Sequence, residues 1–226
     1  YSSAASDVYK RQTHPILKGN ITSIYQDSEG ELWIGSWEEG LHHVKTDGTI
    51  EIFEYDAKNP YSISSNFVRA CCEDNLGNIW IGTFNGLNRY DKSTGLFQNH
   101  TASDAQSDGL THSSIWCIVK DNQGTLWLGT YFGGVNYFNP EYEIYSRYMY
   151  SPIEKKGLSN PVVGRTIEDK DGNLWIGTEG GGLNYYNRRT REFKWFRPEI
   201  GPNSISHNNI KALYYDASKD LSLIHI

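Results

Sequence analysis

Apolar positions in this chain fall in short runs separated by polar, glycine-bearing turns, and no window shows a 3.6-residue period. Such runs predict strands joined by tight turns. The run Phe67–Glu73 is mostly apolar, and the DNLG that follows from Asp74 has the aspartate and glycine of a hairpin turn. There the carboxylate caps backbone N–H groups and Gly77 accepts positive φ. Ile79–Phe84 is then a second strand, Asn85-Gly86 turns the chain into a third over Leu87–Tyr90, and a turn over Lys92–Gly95 leads to a fourth. Along the second strand Ile79 and Ile81 face one way while Trp80 and Gly82 face the other, because side chains alternate. Both faces are apolar, so this strand needs cover on both sides.

The same phrase occurs four times: DSEGELWIGSWEEGLHHV from Asp27, DNLGNIWIGTFNGLNRYD from Asp74, DNQGTLWLGTYFGGVNYFN from Asp121 and DKDGNLWIGTEGGGLNYYN from Asp169. Its fixed positions are Asp27, Gly30, Trp33 and Gly35 in the first copy and Asp74, Gly77, Trp80 and Gly82 in the second. The third has Asp121, Gly124, Trp127 and Gly129, and the fourth Asp169, Gly172, Trp175 and Gly177. The tryptophans are 47, 47 and 48 residues apart. Between copies run extended aromatic segments (IEIFEYD, GLFQNH, EYEIYSRYMY, REFKWFRP), which supply the fourth strand. Four-stranded units of this length, each needing a neighbour on both faces, are what a β-propeller blade requires.

The fold expected is therefore all-β: a β-propeller fragment of four four-stranded antiparallel blades plus the first strand of a fifth, in an open arc. The blades are placed at residues 16–61, 62–109, 110–157 and 158–203, with the fifth strand in 204–221. Ser222 stands where the spacing calls for a tryptophan, and the turn Asp216–Lys219 lacks glycine. Residues 1–12 and 222–226 lie outside the repeat and are similar to adapter read-through at the edges of metagenomic gene fragments. An arc of this kind leaves apolar blade faces open at its ends and favours association. At ~25 cal/mol/Å² over ~150–250 Å², each buried tryptophan contributes up to about 4–6 kcal/mol, which makes Trp80→Ala severe.

Composition removes several function classes. With 38% hydrophobic and 14% aromatic residues the chain can bury a core, which disorder would not allow. The net charge of −6, with no basic block beyond Arg188-Arg189, lacks the footprint of nucleic-acid binding. No apolar stretch approaches the ~20 residues that cross a bilayer. Cys71 and Cys72 are adjacent and Cys117 stands alone, fitting buried small hydrophobes rather than a disulfide framework or a metal pair. The Asp169–Asn173 stretch has the start of a calcium loop but follows the hairpin pattern of its sister copies, so no metal and no cofactor are expected. His42 and His43 alternate across a strand and cannot share a ligand face, with one expected in solvent. No Ser/His/Asp grouping, nucleophile elbow or phosphate loop appears, and no catalytic residue is assigned.

Meander geometry separates two rims. The link between strands two and three lies at the end where strand four crosses to the next blade, opposite the D-x-x-G turns. On that rim the residue four after each tryptophan is Trp37, Phe84, Tyr131 or Glu179. Sugar rings lay apolar C–H faces on aromatic rings and pair hydroxyls with amides and charges, which suits such a rim. The same rim receives the polar starts of the inner strands, including Asn66, His112 and His207. Aligned inner-strand positions hold Arg69, Trp116 and Lys211, with Arg165 one place later. Trp37, Phe84, Tyr131, Asn66, Arg69, His112, Trp116, Arg165 and Lys211 are the ligand-binding candidates. Packing between blades is the competing role for each aromatic.

The phrase D-x-x-G-x-[LI]-W-[IL]-G-[TS] followed by G-[LV]-x-x-[YFV] resembles the two-component regulator propeller repeat of hybrid two-component sensors in gut Bacteroidetes, over residues 17–221. The departures are Ser36 in place of threonine, Val44-Lys45 in place of an aromatic and Asp/Asn, and the fifth turn. The resemblance implies a non-catalytic periplasmic ectodomain that senses oligosaccharides and signals through a membrane-linked histidine kinase, with the membrane attachment and kinase carried by segments absent here. It also implies a homodimer of the full-length parent. Two alternatives are a propeller enzyme similar to streptogramin lyases, with His112 or His207 as acid or base, and a protein-interaction scaffold.

Overall fold

The computed structural model describes residues 20–102, 109–140, 145–201, 204–216 and 221–225, and among them there are strands and no helix. Four antiparallel meanders follow one another. The first is β1 (Ile21–Gln26), β2 (Leu32–Ser36), β3 (Leu41–Val44) and β4 (Ile50–Phe53). The second is β5 (Val68–Glu73), β6 (Ile79–Thr83), β7 (Gly86–Asp91) and β8 (Leu96–His100). The third comprises β9 (Ile115–Lys120), β10 (Leu126–Thr130), β11 (Val135–Phe138) and β12 (Tyr145–Tyr148), and the fourth β13 (Val163–Glu168), β14 (Leu174–Thr178), β15 (Leu183–Asn187) and β16 (Glu192–Phe196). The first strands pack in series, β1 on β5, β5 on β9, β9 on β13, and β13 on β17 (Ala212–Asp216). Among the described residues no strand pairing closes the series, and the blades form an open arc.

The two-faced second strand is covered as its pattern requires. Ile79 and Ile81 lie in one core with Trp33 and Leu41 of the first blade, while Trp80 lies in the next core with Ile115, Leu126 and Phe138 of the third. Trp33, Trp80 and, in a third core with Val163 and Leu174, Trp127 are thus each covered by the blade that follows. Trp33, Trp80 and Trp127 are 0%, 1% and 4% exposed, whereas Trp175, facing the two-stranded fifth unit, is only half-buried. The glycine two residues on makes room for that neighbour. A Cβ at Gly35, Gly82, Gly129 or Gly177 would come within 2.7, 2.7, 2.6 or 2.6 Å of Val68, Ile115, Val163 or Ile210 respectively. The hydroxyl that follows donates to the carbonyl of the β2–β3 link, from Thr83, Thr130 and Thr178 and equally from Ser36, at 2.8–3.0 Å.

The D-x-x-G turn is a small hydrogen-bond cluster. Asp74 Oδ1 accepts the backbone N–H groups of Leu76 and Asn78, both at 2.9 Å, and Gly77 takes φ 82°. Oδ2 accepts the indole N–H of Trp80 at 2.8 Å. Asp27, Asp121 and Asp169 make the same three bonds. In the second and fourth copies an asparagine amide also donates to Oδ2, Asn78 at 3.0 Å and Asn173 at 3.5 Å. The first and third copies have Glu31 and Thr125 there, and a cation from the next blade takes its place. Lys92 reaches Asp27 at 3.0 Å and Glu29 at 2.8 Å, and Arg188 pairs with Asp121.

Two expectations need correction. The fifth unit has two strands: β17 pairs with β18 (Leu221–His225), of which residues 222–225 were expected to lie outside the repeat. Their register is one residue short of the other copies, with Asp216 opposite Leu221 where Gln26 faces Leu32 across a longer turn. Backbone pairing needs no tryptophan, and a turn without the aspartate-and-glycine geometry does not hold the register. His42 and His43, one of them expected in solvent, are both buried, at 2% and 4% exposure. His43 stacks on Trp33 at 3.8 Å and bonds Glu31 at 2.6 Å, while His42 occupies the position that Asn88, Asn136 and Asn184 fill in the other blades. Residues 1–12 lie outside the described residues.

Candidate functional site

The rim carrying the β2–β3 links is set by two repeated backbone features. The N–H of the residue four after each tryptophan donates to a carbonyl at the start of the inner strand: Trp37 to Asn20, Phe84 to Phe67, Tyr131 to Ser114 and Glu179 to Val162, at 2.9–3.0 Å. Each rim side chain is therefore pinned beside its blade's inner strand. The inner strands of the four blades, β1, β5, β9 and β13, also bulge just inside that point, the register skipping Thr22, Arg69, Trp116 and Gly164. A bulge frees one residue from the ladder and re-aims its side chain. In the second and third blades the re-aimed residues are Arg69 and Trp116.

These side chains assemble across three blades. The Arg69 guanidinium carbon lies 4.6 Å from the Trp37 ring and 4.2 Å from the Trp116 ring, within cation–π range of both. Trp116 stacks on Tyr131 at 5.1 Å and 15°. Tyr131 continues into Phe132 at 4.3 Å, with the His112 ring 6.4 Å away at the edge. On the other side Trp37 meets Phe67 edge-on at 5.6 Å, and Phe67 leads to Phe84 at 6.1 Å. Trp37, Phe84 and Phe132 remain 38%, 54% and 54% exposed, a high value for rings of this size.

The fourth and fifth units bring charge instead of rings. Lys211 pairs with Glu179, while Arg165 is exposed and among the described residues its Nη1 donates to the carbonyl of Gly164, at 3.1 Å. Burial holds the Arg69 guanidinium below its ordinary pKa, and the nearby positive charge of Arg165 adds to the effect. Two buried donors in the stack, Arg69 Nε and Trp116 Nε1, have no hydrogen-bond partner among the described residues.

Of the sequence candidates, Trp37, Arg69, Trp116 and Tyr131 form one continuous stack. Arg165 adjoins it electrostatically, Lys211 is drawn to Glu179, and Phe84 joins through Phe67. Asn66 is spent elsewhere: its Oδ1 accepts the Tyr55 N–H at 2.6 Å and ties down the crossover. His112 Nδ1 accepts the Ser114 N–H at 3.0 Å, as His207 Nδ1 accepts that of Asn209, so each caps its own turn. Phe67 and Phe132 belong to the band although the repeat pattern did not single them out; the adjacency of Phe132 to Tyr131 was the available signal. Three acidic side chains, Asp27, Glu29 and Glu31, converge at the opposite rim, where the Lys92 ammonium stands among them.

The two component regulator propeller profile matches residues 15–38, 62–85, 109–132 and 157–180, each match ending on or just past a rim residue. No curated protein matches the chain by sequence. Among solved structures, the chain is similar to the extracellular domain assigned to a hybrid two component system of B. thetaiotaomicron, with TM-score 0.73 and 23% identity over 92% of this chain and 28% of that one. A second such domain from the same organism gives TM-score 0.64 and 18% identity, covering 90% and 32%. Virginiamycin B lyase from Staphylococcus aureus gives TM-score 0.66 and 14% identity, covering 91% and 63%. The chain spans about a third or less of the two extracellular domains, and these likenesses show the shared propeller fold.

Proposed function

We propose, from the premise that this chain is a two component regulator propeller protein, that it is part of a periplasmic sensor ectodomain and binds an oligosaccharide on its crossover rim without transforming it. The observation that carries this reading is the aromatic band across three blades, in which the half-buried Trp116 and Tyr131 are continuous with the exposed rings of Trp37, Phe84 and Phe132. Pyranose rings offer C–H faces that match such a surface, and the flanking Arg69, Arg165, Glu179 and Lys211 offer hydroxyl partners. Blade-to-blade packing accounts for the buried repeat tryptophans, but it does not account for rings that remain half in solvent. A non-catalytic role is favoured by the likeness to sensor ectodomains, and the Nδ1 of His112 and of His207 serves to accept a neighbouring backbone N–H. The bound state would be passed to a histidine kinase borne by the parent protein.

Calorimetry of the full-length protein carrying this segment against a panel of plant and host oligosaccharides tests the reading. Binding that falls at least about tenfold in Trp37→Ala supports it, since loss of one stacking platform costs on the order of 1–2 kcal/mol. Binding that is indifferent to Trp37 and Trp116, or absent with every glycan, contradicts it. Turnover of any panel member that is abolished by replacing His112 and His207 would favour an enzyme instead.

A further inference from the structure

The charge on this rim is out of keeping with the rest of the molecule. The chain carries a net −6, yet Arg69 and Arg165, whose positive charge is felt at Arg69, have no ion pair among the described residues. The nearest acidic side chain of the rim, Glu179, is already taken by Lys211. Two like charges without a counter-charge cost energy at a site that is partly desolvated. The stack's two unpartnered buried atoms, Arg69 Nε and Trp116 Nε1, are both donors. Unmet buried donors are costly, and what would relieve them is an acceptor-rich group.

The rings decide how such a group could approach. Trp37 and Trp116 both lie against the guanidinium of Arg69 at 4.6 and 4.2 Å. A guanidinium stacked on rings keeps its in-plane N–H groups for hydrogen bonding, and that edge matches the two oxygens of a carboxylate or the oxygens of a sulfate. The bulge at Arg69 turns the residue out of the ladder, and that at Trp116 brings the indole beside it. Thr22 and Gly164, at the same position in the neighbouring blades, provide neither a charge nor a ring.

We propose that the rim contains an anion subsite: Arg69 and Arg165, with Trp116 Nε1, receive a carboxylate or sulfate of an acidic oligosaccharide whose ring lies on the adjoining aromatics. The proposal rests on the oligosaccharide reading above and narrows it to ligands with an acidic group. Arg69 supplies the edge-on fork, Trp116 a neutral donor beside it, and Arg165 a second charge from the next blade but one.

The test uses an array of neutral, uronate-bearing and sulfated oligosaccharides, probed with the full-length protein that carries this segment. Hits should be confined to acidic members, the uronate and sulfate arms distinguishing which anion is read. Affinity for a hit should fall as salt is raised from low to physiological ionic strength. It should also fall by at least about tenfold in Arg69→Gln, as expected for a charge-assisted bond of ~1.5–3 kcal/mol. Because Arg69 is packed between indoles, the exposed Arg165→Gln provides a variant that leaves the stack intact, with an expected loss of about threefold or more. Binding of neutral oligosaccharides with equal or greater affinity, or an acidic hit unmoved by both variants and by salt, would overturn the anion subsite and leave the oligosaccharide reading standing. No binding to any member would remove the oligosaccharide reading itself, and the subsite with it.

Discussion

Asp74 Oδ2 accepts the indole N–H of Trp80 at 2.8 Å, joining the first residue of the hairpin turn to the largest side chain of the strand that follows it. The bond sets the depth at which the indole enters the next core, and its second oxygen shapes the turn itself. Asp74→Ala removes the acceptor for four N–H groups in a buried place, and a loss of about 2–4 kcal/mol is expected in chemical denaturation. Asp74→Asn keeps one oxygen for the turn and should cost roughly half as much. Equal losses would mean that the carboxylate's second oxygen does little.

Gly82 is held to glycine by its neighbour and not by its backbone. A Cβ would meet Ile115 at 2.7 Å, with Ile115 fully buried. Gly82→Ala should therefore destabilise by about 1–3 kcal/mol through overpacking. Ser36→Thr should be neutral to within about 0.5 kcal/mol, since both hydroxyls make the same bond. The pair of denaturation curves checks both.

Why the repeat was legible and the rim only partly so follows from these contacts. Asp74, Gly77, Trp80 and Gly82 answer to constraints within one unit and its immediate neighbour, which recur with every copy and leave a periodic trace. The linkage of Trp37, Arg69 and Trp116 crosses three blades and depends on bulges at Arg69 and Trp116, which no residue type announces. Alignment of the copies placed Arg69 and Trp116 at one position but could not say that both leave the ladder. The short fifth hairpin escaped for the reverse reason: its pairing is made by backbone, while the pattern followed side chains.

Lys92 bridges the first two blades through Asp27, whose side chain is fully buried. Burial works to raise the Asp27 pKa, but the bonds from Trp33 and Lys92 outweigh it and hold the carboxyl below its ordinary 3.8. A carboxyl lowered by folding contributes stability above its unfolded pKa, and that contribution is lost as pH falls through the folded value. Lys92→Met should thus cost about 1–2 kcal/mol at pH 7. The gap between variant and parent should close in the acid limb below about pH 4, as followed by thermal melts across pH. A constant gap down to pH 2 would place the role of Lys92 in packing alone.

Cys71, Cys72 and Cys117 are all buried and unpaired with one another. Burial pushes the Cys71 thiol up to about 12 and that of Cys72 to about 11, and raises Cys117 as well. Since the thiolate is the reactive form, a disulfide reagent at pH 8 should label none of them in the native protein and all three after denaturation.

The arrangement as a whole stands on Trp33, Trp80 and Trp127 each being covered by the blade after its own. The most direct measurement compares Trp80→Ala with Trp175→Ala in the same chain by denaturant unfolding. Trp80 is 1% exposed beneath the third blade, whereas Trp175, in the last four-stranded blade, is half-buried with its ring contacts in its own blade. Trp80→Ala should cost about 3–5 kcal/mol and Trp175→Ala less than half of that. Equal costs at the two positions, or a Trp80→Ala chain as stable as the parent, would contradict the stacked-blade account.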